Sequence, residues 1–284
     1  MTTKLSYLER YLLGEHEQVW AELVALGERV REEHIYSDAL EVARETMRRA
    51  RHNIEALISR LEVIGYQFGY AWATSRGGQE GRWLAVDWAG PFTPPLPDTS
   101  TRLHELQTSV GALPLSIVAW FETVGAVDFV GQPPRHWGLA GSNELGEGEK
   151  DIAGIAASSW PLDEDPSLEW CSLDPLCIWS LDAVMAMADP PADESDPADP
   201  ESGKWYLSLS PDPEGKYFIS GGGQIGIHVP NDTADAEFID LLPFVEYLRN
   251  CFRWGGFPGL RDYLGPMDAI SEDLSSLTRD LLPL

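Results

Sequence analysis

The sequence lacks several features that define common functional classes. It has no run of about 18 uninterrupted apolar residues, so no membrane-spanning helix is expected. Its first residues, MTTKLSYLERYLLGEHE, lack the apolar segment of a secretory signal. Cysteine is scarce, since Cys171, Cys177 and Cys251 are an odd number without a close CxxC pair. This usage is typical of thiols in a reducing compartment, and we predict a cytoplasmic protein.

Basic residues are also scarce. The chain has 20 Lys and Arg against 46 Asp and Glu, which gives a net charge of −26. Such a surface repels nucleic-acid phosphates and anionic headgroups, so we expect binding to neither nucleic acid nor a membrane. The same field would speed association with a basic protein partner. The alternative is that the charge only maintains solubility.

Catalytic and metal-binding motifs are missing. There is no HExxH, GxSxG or GxxxxGK[ST], and the six histidines form no close pair. Gly221, Gly223 and Gly226 match GxGxxG, but the strand-like IGIHVP that follows favours a tight turn over a dinucleotide site. His136 and His228 are interpreted as surface or packing residues, and Cys251 as a buried thiol. We therefore predict no catalytic residue, no metal and no cofactor.

Residues 1–76 are predicted to form an antiparallel helical hairpin. Apolar residues from Leu40 to Ile64 follow a 3-4 spacing, with Ser37 or Asp38 as the cap and Gly65 as the end. A second helix is predicted over Val19–Val30, with a link around Arg31–Tyr36. The basic patch on the longer helix is interpreted as pairing with local glutamates rather than as a binding site; it consists of Arg44, Arg48, Arg49 and Arg51.

The remaining chain differs in composition and charge. Residues 1–76 carry a net charge of −2 and the rest −24, which suggests two units. Residues 77–100 are predicted to be a linker with a short strand at Arg82–Trp88, and the boundary lies between Thr74 and Ser100. Residues 101–284 mix short strands with helices, which predicts an acidic α+β domain. Asp189–Gly203 is rich in acid and proline and is expected to be a mobile loop.

The elements of this acidic domain have individual sequence signals. The predicted helices are Leu103–Leu113, Leu115–Val124 after Pro114, Ser180–Met187 with a serine cap, Pro243–Phe252 and Met267–Leu282. The predicted strands are Val127–Val130, Ser172–Trp179, Trp205–Ser210, Phe218–Ile219 and Ile225–Val229.

Two stretches resemble the SUKH superfamily. Leu103–Gly125, LHELQTSVGALPLSIVAWFETVG, is similar to its opening signature, in which a helix ends in a G-x-LP turn and a second helix ends in a glycine turn. Ser220–Gly259 is similar to a C-terminal block of bacterial proteins that we associate with it. The matching positions of the first stretch are Gly111, Leu113, Pro114, Trp120, Phe121 and Gly125.

The resemblance carries expectations about fold and function. It implies a mixed β-sheet flanked by helices, with the N-terminal hairpin outside the common fold, and no catalytic residues. The superfamily includes fungal regulators of cell-wall synthesis and bacterial immunity proteins that neutralise toxins, often nucleases. We therefore expect a non-catalytic immunity protein that binds a basic toxin domain. The alternatives are a scaffold acting through the hairpin and an enzyme with a carboxylate site.

The predicted partner-binding residues combine carboxylates with aromatic anchors. Carboxylates would steer a basic partner, and Trp160 and Trp170 would anchor it, with core packing as the alternative for both tryptophans. The predicted residues are Glu147, Trp160, Asp163, Glu164, Asp165, Trp170, Asp193, Glu194, Asp196 and Asp199.

Overall fold

The computed structural model describes residues 5–69, 90–137, 173–191, 203–210, 226–238, 242–262 and 268–284. Within these ranges it combines helices with small antiparallel sheets, which confirms the α+β class. The α-helices are α1 (Tyr7–Leu12), α2 (His16–Ala25), α3 (Glu33–Ile64), α4 (Thr99–Val110), α5 (Leu115–Thr123), α6 (Leu181–Ala186), α7 (Phe244–Arg253) and α8 (Asp268–Thr278). In the described ranges, 3₁₀ helices lie at Gly27–Arg31, Arg135–Trp137 and Pro258–Asp262.

The strands in the described part of the chain are short and pair in three sheets. They are β1 (Gln67–Phe68), β2 (Phe92–Thr93), β3 (Ala126–Asp128), β4 (Gly131–Gln132), β5 (Cys177–Ile178), β6 (Trp205–Ser208) and β7 (Gly226–Val229). β1 pairs with β4, β3 lies between β2 and β5, and β6 pairs with β7. Every strand pair in the described ranges is antiparallel. The predicted strands at Arg82–Trp88 and Phe218–Ile219 lie outside those ranges.

The longest helix, α3, follows the predicted apolar spacing but begins earlier than expected. Gly65 ends it in the left-handed conformation, with a φ of 91°, as predicted. The predicted cap at Ser37 or Asp38 is wrong, because α3 already begins at Glu33. The Asp38 carboxylate instead accepts hydrogen bonds from the backbone amides of Tyr7 (2.6 Å) and Leu8 (3.1 Å). Asp38 therefore caps the first turn of α1, whose amides have no acceptor within their own helix.

The segment before α3 is also more compact than predicted. α2 ends at Ala25 and a 3₁₀ helix follows, so only Glu32 separates that helix from α3. The predicted link at Arg31–Tyr36 is wrong, since most of it belongs to α3. Trp20 of α2 donates from Nε1 to Oγ1 of Thr46 on α3 at 3.0 Å, and both side chains are buried.

Helix α3 packs against helices from both the N-terminal part of the chain and the acidic part that follows it. α5 lies along it and α8 contacts it as well, so one cluster of buried apolar side chains extends from Tyr11 to Leu284. Arg44 binds Glu122 of α5 through Nε (3.0 Å) and Nη2 (2.8 Å). Arg48 and Arg49 pair with Glu45 at 2.9 and 3.0 Å. The interpretation of the arginine patch as glutamate-paired is confirmed. The boundary between Thr74 and Ser100 stays a prediction, since 70–89 are outside the described residues.

The Gly-x-Leu-Pro turn between α4 and α5 has a physical explanation. Gly111 has a φ of 90°, and a Cβ there would lie 2.6 Å from Cβ of Pro230. The turn therefore needs glycine both for its conformation and for the close approach of Pro230. Pro114 is the N-cap of α5 rather than its first residue. The backbone amides of Leu115 and Ser116, in the first turn of α5, donate to the backbone oxygens of residues 233 and 234.

The later helices match the sequence expectations, except that α8 ends at Thr278 and not at Leu282 as predicted. Ser180 caps α6 by accepting from the Ala183 amide at 3.3 Å, as predicted. Pro243 precedes α7 as its N-cap. None of the described helices is both long and apolar enough to cross a bilayer.

Candidate functional site: the α4–α6 face

All ten predicted partner-binding residues, from Glu147 to Asp199, lie outside the described residues. The structure nevertheless describes both flanks of the acidic segment 192–202. On these flanks, the Asp189 amide donates to the Tyr206 carbonyl at 2.9 Å, and the Tyr206 amide donates to the Asp189 carbonyl at 3.0 Å. This antiparallel bridge places Asp189, after α6, beside Tyr206 of β6.

Helices α4 and α6 pack together next to this bridge. Leu181 and Val184 are buried on α6, and Arg102 of α4 forms a 2.5 Å ion pair with Asp182. The Asp182 side chain is half exposed, so this pair lies at the surface. We call the exposed side of these two helices and the adjacent flank the α4–α6 face. Its acidic residues are Asp98, Glu105, Asp182 and Asp189.

The α4–α6 face also carries an exposed apolar side chain. Met187, at the end of α6, has 49% of its surface exposed. A flexible thioether among carboxylates is suited to contact with a partner, because methionine adapts to irregular surfaces. The face can thus offer charge for attraction and one apolar contact.

Tyr206, one of the two residues of the bridge, has a partly buried side chain. Burial, and then the nearby Asp189 carboxylate, raises the pKa of Tyr206 to about 12. Its ring lies 5.4 Å from the ring of His228, and Gly226 leaves it space that any Cβ would fill. The Tyr206 phenol therefore stays neutral at physiological pH. Gly226, the last glycine of the GxGxxG match, makes room for the Tyr206 ring instead of forming a dinucleotide site.

Most arginines near the core are used for internal contacts. Arg10 pairs with Glu15 (2.9 Å) and Glu22 (2.6 Å), and Arg31 donates to the Leu113 carbonyl. Arg60 donates to two carbonyls, those of Leu277 and Arg279, both at 2.6 Å. These guanidinium groups therefore hold segments of the chain together.

His136 and Asp273 form a second polar cluster. The Asp273 carboxylate lies 2.6 Å from Nε2 of His136 and accepts from Nε1 of Trp137 at 2.6 Å. The cluster attaches the 3₁₀ helix Arg135–Trp137 to α8. His136 is half exposed, in agreement with its interpretation as a surface residue.

A buried carboxylate, Asp235, has no counterpart in the sequence predictions. It is 8% exposed and accepts from the amides of Ala236 (3.0 Å) and Val245 (3.1 Å). Burial raises the pKa of Asp235 to about 6, although hydrogen bonds from Ser116 and the two amides oppose the shift. Val245 lies in the first turn of α7, so Asp235 caps that helix from a distance. The surrounding sequence, NDTADAEF, carries no motif that marks this carboxylate as buried.

Cysteines and groups of metal-binding side chains are the remaining candidates for chemistry among the described residues. Cys177 and Cys251 are buried thiols, which confirms the interpretation of Cys251, and Cys171 lies outside the described ranges. No group of three or more His, Cys, Asp or Glu within those ranges is arranged to hold a metal ion. No protein-family model, curated protein or solved structure matches this chain.

Proposed function

We propose that this protein is a non-catalytic immunity protein that neutralises a basic toxin domain by direct binding. The observation that supports the proposal is the bridge between Asp189 and Tyr206, which lies beside an exposed face that carries several acidic residues. In the sequence, residues 192–202 lie between the two residues of this bridge and contain Asp193, Glu194, Asp196, Asp199 and Glu201 but no basic residue. The SUKH-like mixed sheet and the N-terminal hairpin are part of the same proposal.

Electrostatic attraction is the first step of the proposed mechanism. Carboxylates concentrated on one face attract a basic surface over about 8 Å at physiological ionic strength, the screening distance. This attraction raises the association rate more than it raises the final affinity. The bound acidic surface would then cover the basic active-site region of the toxin and exclude its substrate.

Close contacts would complete the complex. Met187 is placed to contact the partner near the bridge, and Trp160 and Trp170 are the proposed aromatic anchors. Large aromatic side chains carry much of the binding energy at protein interfaces, whereas exposed charges contribute little once the complex has formed. The carboxylates Glu147, Asp163, Glu164 and Asp165 are proposed to extend the steering surface.

The test begins with tagged full-length chain as bait in an extract of its native host. Bound proteins are eluted with a salt gradient and identified by mass spectrometry. We expect a basic protein released at moderate salt whose toxic activity is inhibited by the bait. Recovery of the chain alone, or of complexes that resist high salt, would contradict the proposal.

A matched pair of variants then tests the face itself. The triple substitution D98N/E105Q/D189N removes three negative charges from the α4–α6 face. The control, E17Q/E28Q/E62Q, removes three from exposed positions of the N-terminal helices. We expect the first variant to lower the association rate of the recovered partner on the order of tenfold at low salt. Equal effects of both variants would mean that net charge alone, and not this face, matters.

A scaffold function is the second candidate. It is favoured by three exposed leucines around α1, namely Leu5 (46% exposed), Leu12 (55%) and Leu13 (72%). An apolar contact through these side chains would be nearly insensitive to salt, unlike charge steering. Sedimentation of the full chain at low and high salt distinguishes the two, because self-association unchanged by salt supports the scaffold function.

A further inference from the structure

Residues 280–284 lie along α3 and are held there mainly through their backbone. Asn53, which is fully buried, donates from Nδ2 to the Leu282 carbonyl at 2.9 Å and accepts from the Leu282 amide at 2.8 Å. Both hydrogen bonds of this pairing are independent of the side chain at position 282. The Leu282 side chain is itself 39% exposed.

Two arginines continue the same pattern. Nη1 of Arg49 donates to the Pro283 carbonyl at 3.1 Å, and Nε of Arg249 on α7 donates to the Leu284 oxygen at 3.0 Å. Three successive backbone positions are thus bound by side chains from two helices. Leu284 is only 4% exposed and Leu281 is partly buried, so aliphatic side chains three residues apart provide the apolar contacts.

Peptide-binding grooves use the same combination of contacts. In such grooves hydrogen bonds to the main chain supply affinity, and pockets for spaced side chains supply specificity. The Asn53 amide is completely buried and makes two hydrogen bonds with the backbone of Leu282. An empty groove would leave this buried amide without those bonds. The groove therefore favours an occupied state.

Space remains at the end of the groove. A cavity of about 300 Å³ is lined by residues 14–18 of the α2 start together with Pro283 and Leu284. Nη2 of Arg249 is buried and has no hydrogen-bond partner within the described residues. The groove thus has both volume and a donor that residues 280–284 do not use.

We propose that the surface formed by α3, α7 and the start of α2 is a peptide-binding groove. Residues 280–284 occupy it as an intramolecular ligand that opens locally. In trans, the groove takes an extended peptide with aliphatic side chains at the positions of Leu281 and Leu284. This inference is independent of the proposed immunity function.

Amide hydrogen exchange on the unmodified full-length chain tests whether the segment opens by itself. The Leu282 amide should exchange at least tenfold faster than the amides of Ala50 and Leu57, which lie in the buried middle of α3. Exchange of Leu282 as slow as that of these two amides would overturn the proposal. In that case the segment would open only when the whole protein unfolds.

Binding in trans is tested with a fluorescein-labelled peptide RDLLPL, the sequence of residues 279–284. The full-length variant L281A/L284A weakens the internal ligand, and its fold is checked by circular dichroism. We expect fluorescence anisotropy to show binding with a Kd below about 1 mM, the range set by the local concentration of a tethered competitor. No binding up to several millimolar peptide would overturn the proposal.

Further substitutions in the same variant background locate the site. Asn53→Ala should weaken peptide binding at least tenfold, whereas His52→Ala, at the exposed neighbouring position, should leave it unchanged. Since Asn53→Ala is a core substitution, Arg249→Gln serves as a second variant and should also weaken binding severalfold. Binding that neither substitution affects would place the peptide elsewhere and contradict the groove.

Discussion

Replacement of Asp235 by asparagine should change how the stability of the protein depends on pH. The carboxylate is buried, and its two oxygens accept from the amides of Ala236 and Val245. Asparagine keeps the shape and one accepting oxygen, but its NH₂ group cannot accept. The Ala236 amide also donates to Oγ of Ser116 at 3.1 Å, so the larger cost, about 1–3 kcal/mol, arises if the Val245 amide loses its acceptor. The pH dependence has a different origin, namely the ionisation of Asp235 itself.

The sign follows from the direction of the pKa shift. The pKa of Asp235 rises from 3.8 to about 6 because burial disfavours the charged form. A raised pKa in the folded state means that ionisation destabilises folding, so stability is greatest below the unfolded pKa and is lost as pH rises through about 6. Between pH 5 and pH 8 this group should lower the free energy of unfolding by about 1.4 kcal/mol.

The assay is urea unfolding of the wild type and D235N at pH 5 and pH 8. Both values lie above the sequence pI of 4.4, so the net charge stays negative throughout. The stability difference, wild type minus D235N, should be about 1.4 kcal/mol larger at pH 5. Glu237→Gln, an exposed carboxylate two residues away, is the control and should show no such change. A difference that is constant with pH, or larger at pH 8, would refute a buried carboxylate that ionises near pH 6.

Two further predictions concern backbone and buried hydrogen bonds. Gly125→Ala should destabilise by more than about 2 kcal/mol, since φ is 94° and a Cβ would clash with Thr93 and lie 2.9 Å from the Pro94 carbonyl carbon. Gly65→Ala, at a φ of 91° with open space around it, should cost only about 1 kcal/mol. Equal losses of unfolding free energy for the two variants, measured by urea unfolding, would refute the steric argument. Thr46→Val should lower the free energy of unfolding by about 1–3 kcal/mol, because it removes the acceptor of the buried Trp20 Nε1. The control, Ser59→Ala on the exposed side of α3, should lower it by less than about 0.5 kcal/mol. A thermal melt in which both variants match the wild type would contradict the Thr46 prediction.

Helices were predictable from the sequence where periodicity and end signals agree. The 3-4 spacing from Leu40 to Ile64 and the glycine at 65 locate most of α3 and its end. Its start was predicted wrongly because Asp38 is a strong capping residue in local terms. Asp38 does cap a helix, but that helix is α1, which lies about thirty residues earlier in the chain. A local pattern identifies the capping chemistry of a side chain and does not identify the helix that uses it.

The sites were less predictable than the helices. Asp235, Asn53 and the groove around Leu282 depend on contacts between segments far apart in sequence, such as the 229-residue separation of Asn53 and Leu282. No spacing rule can reveal them, because each residue alone is an ordinary polar residue. The acidic surplus, by contrast, is visible from composition, since charge is a sum over the chain. The ten residues predicted from it remain predictions.

The length of α3 has a consequence for the order in which the chain folds during synthesis. Residues 33–64 emerge from the ribosome before α5 and α8, which cover their apolar stripe, and the partner of Asn53 follows only at residue 282. Until those later residues emerge, a long apolar surface has no cover and is exposed to misassociation. Closing loops of more than 200 residues also slows formation of the native contacts. We expect α3 to be the principal chaperone-binding segment of the nascent chain.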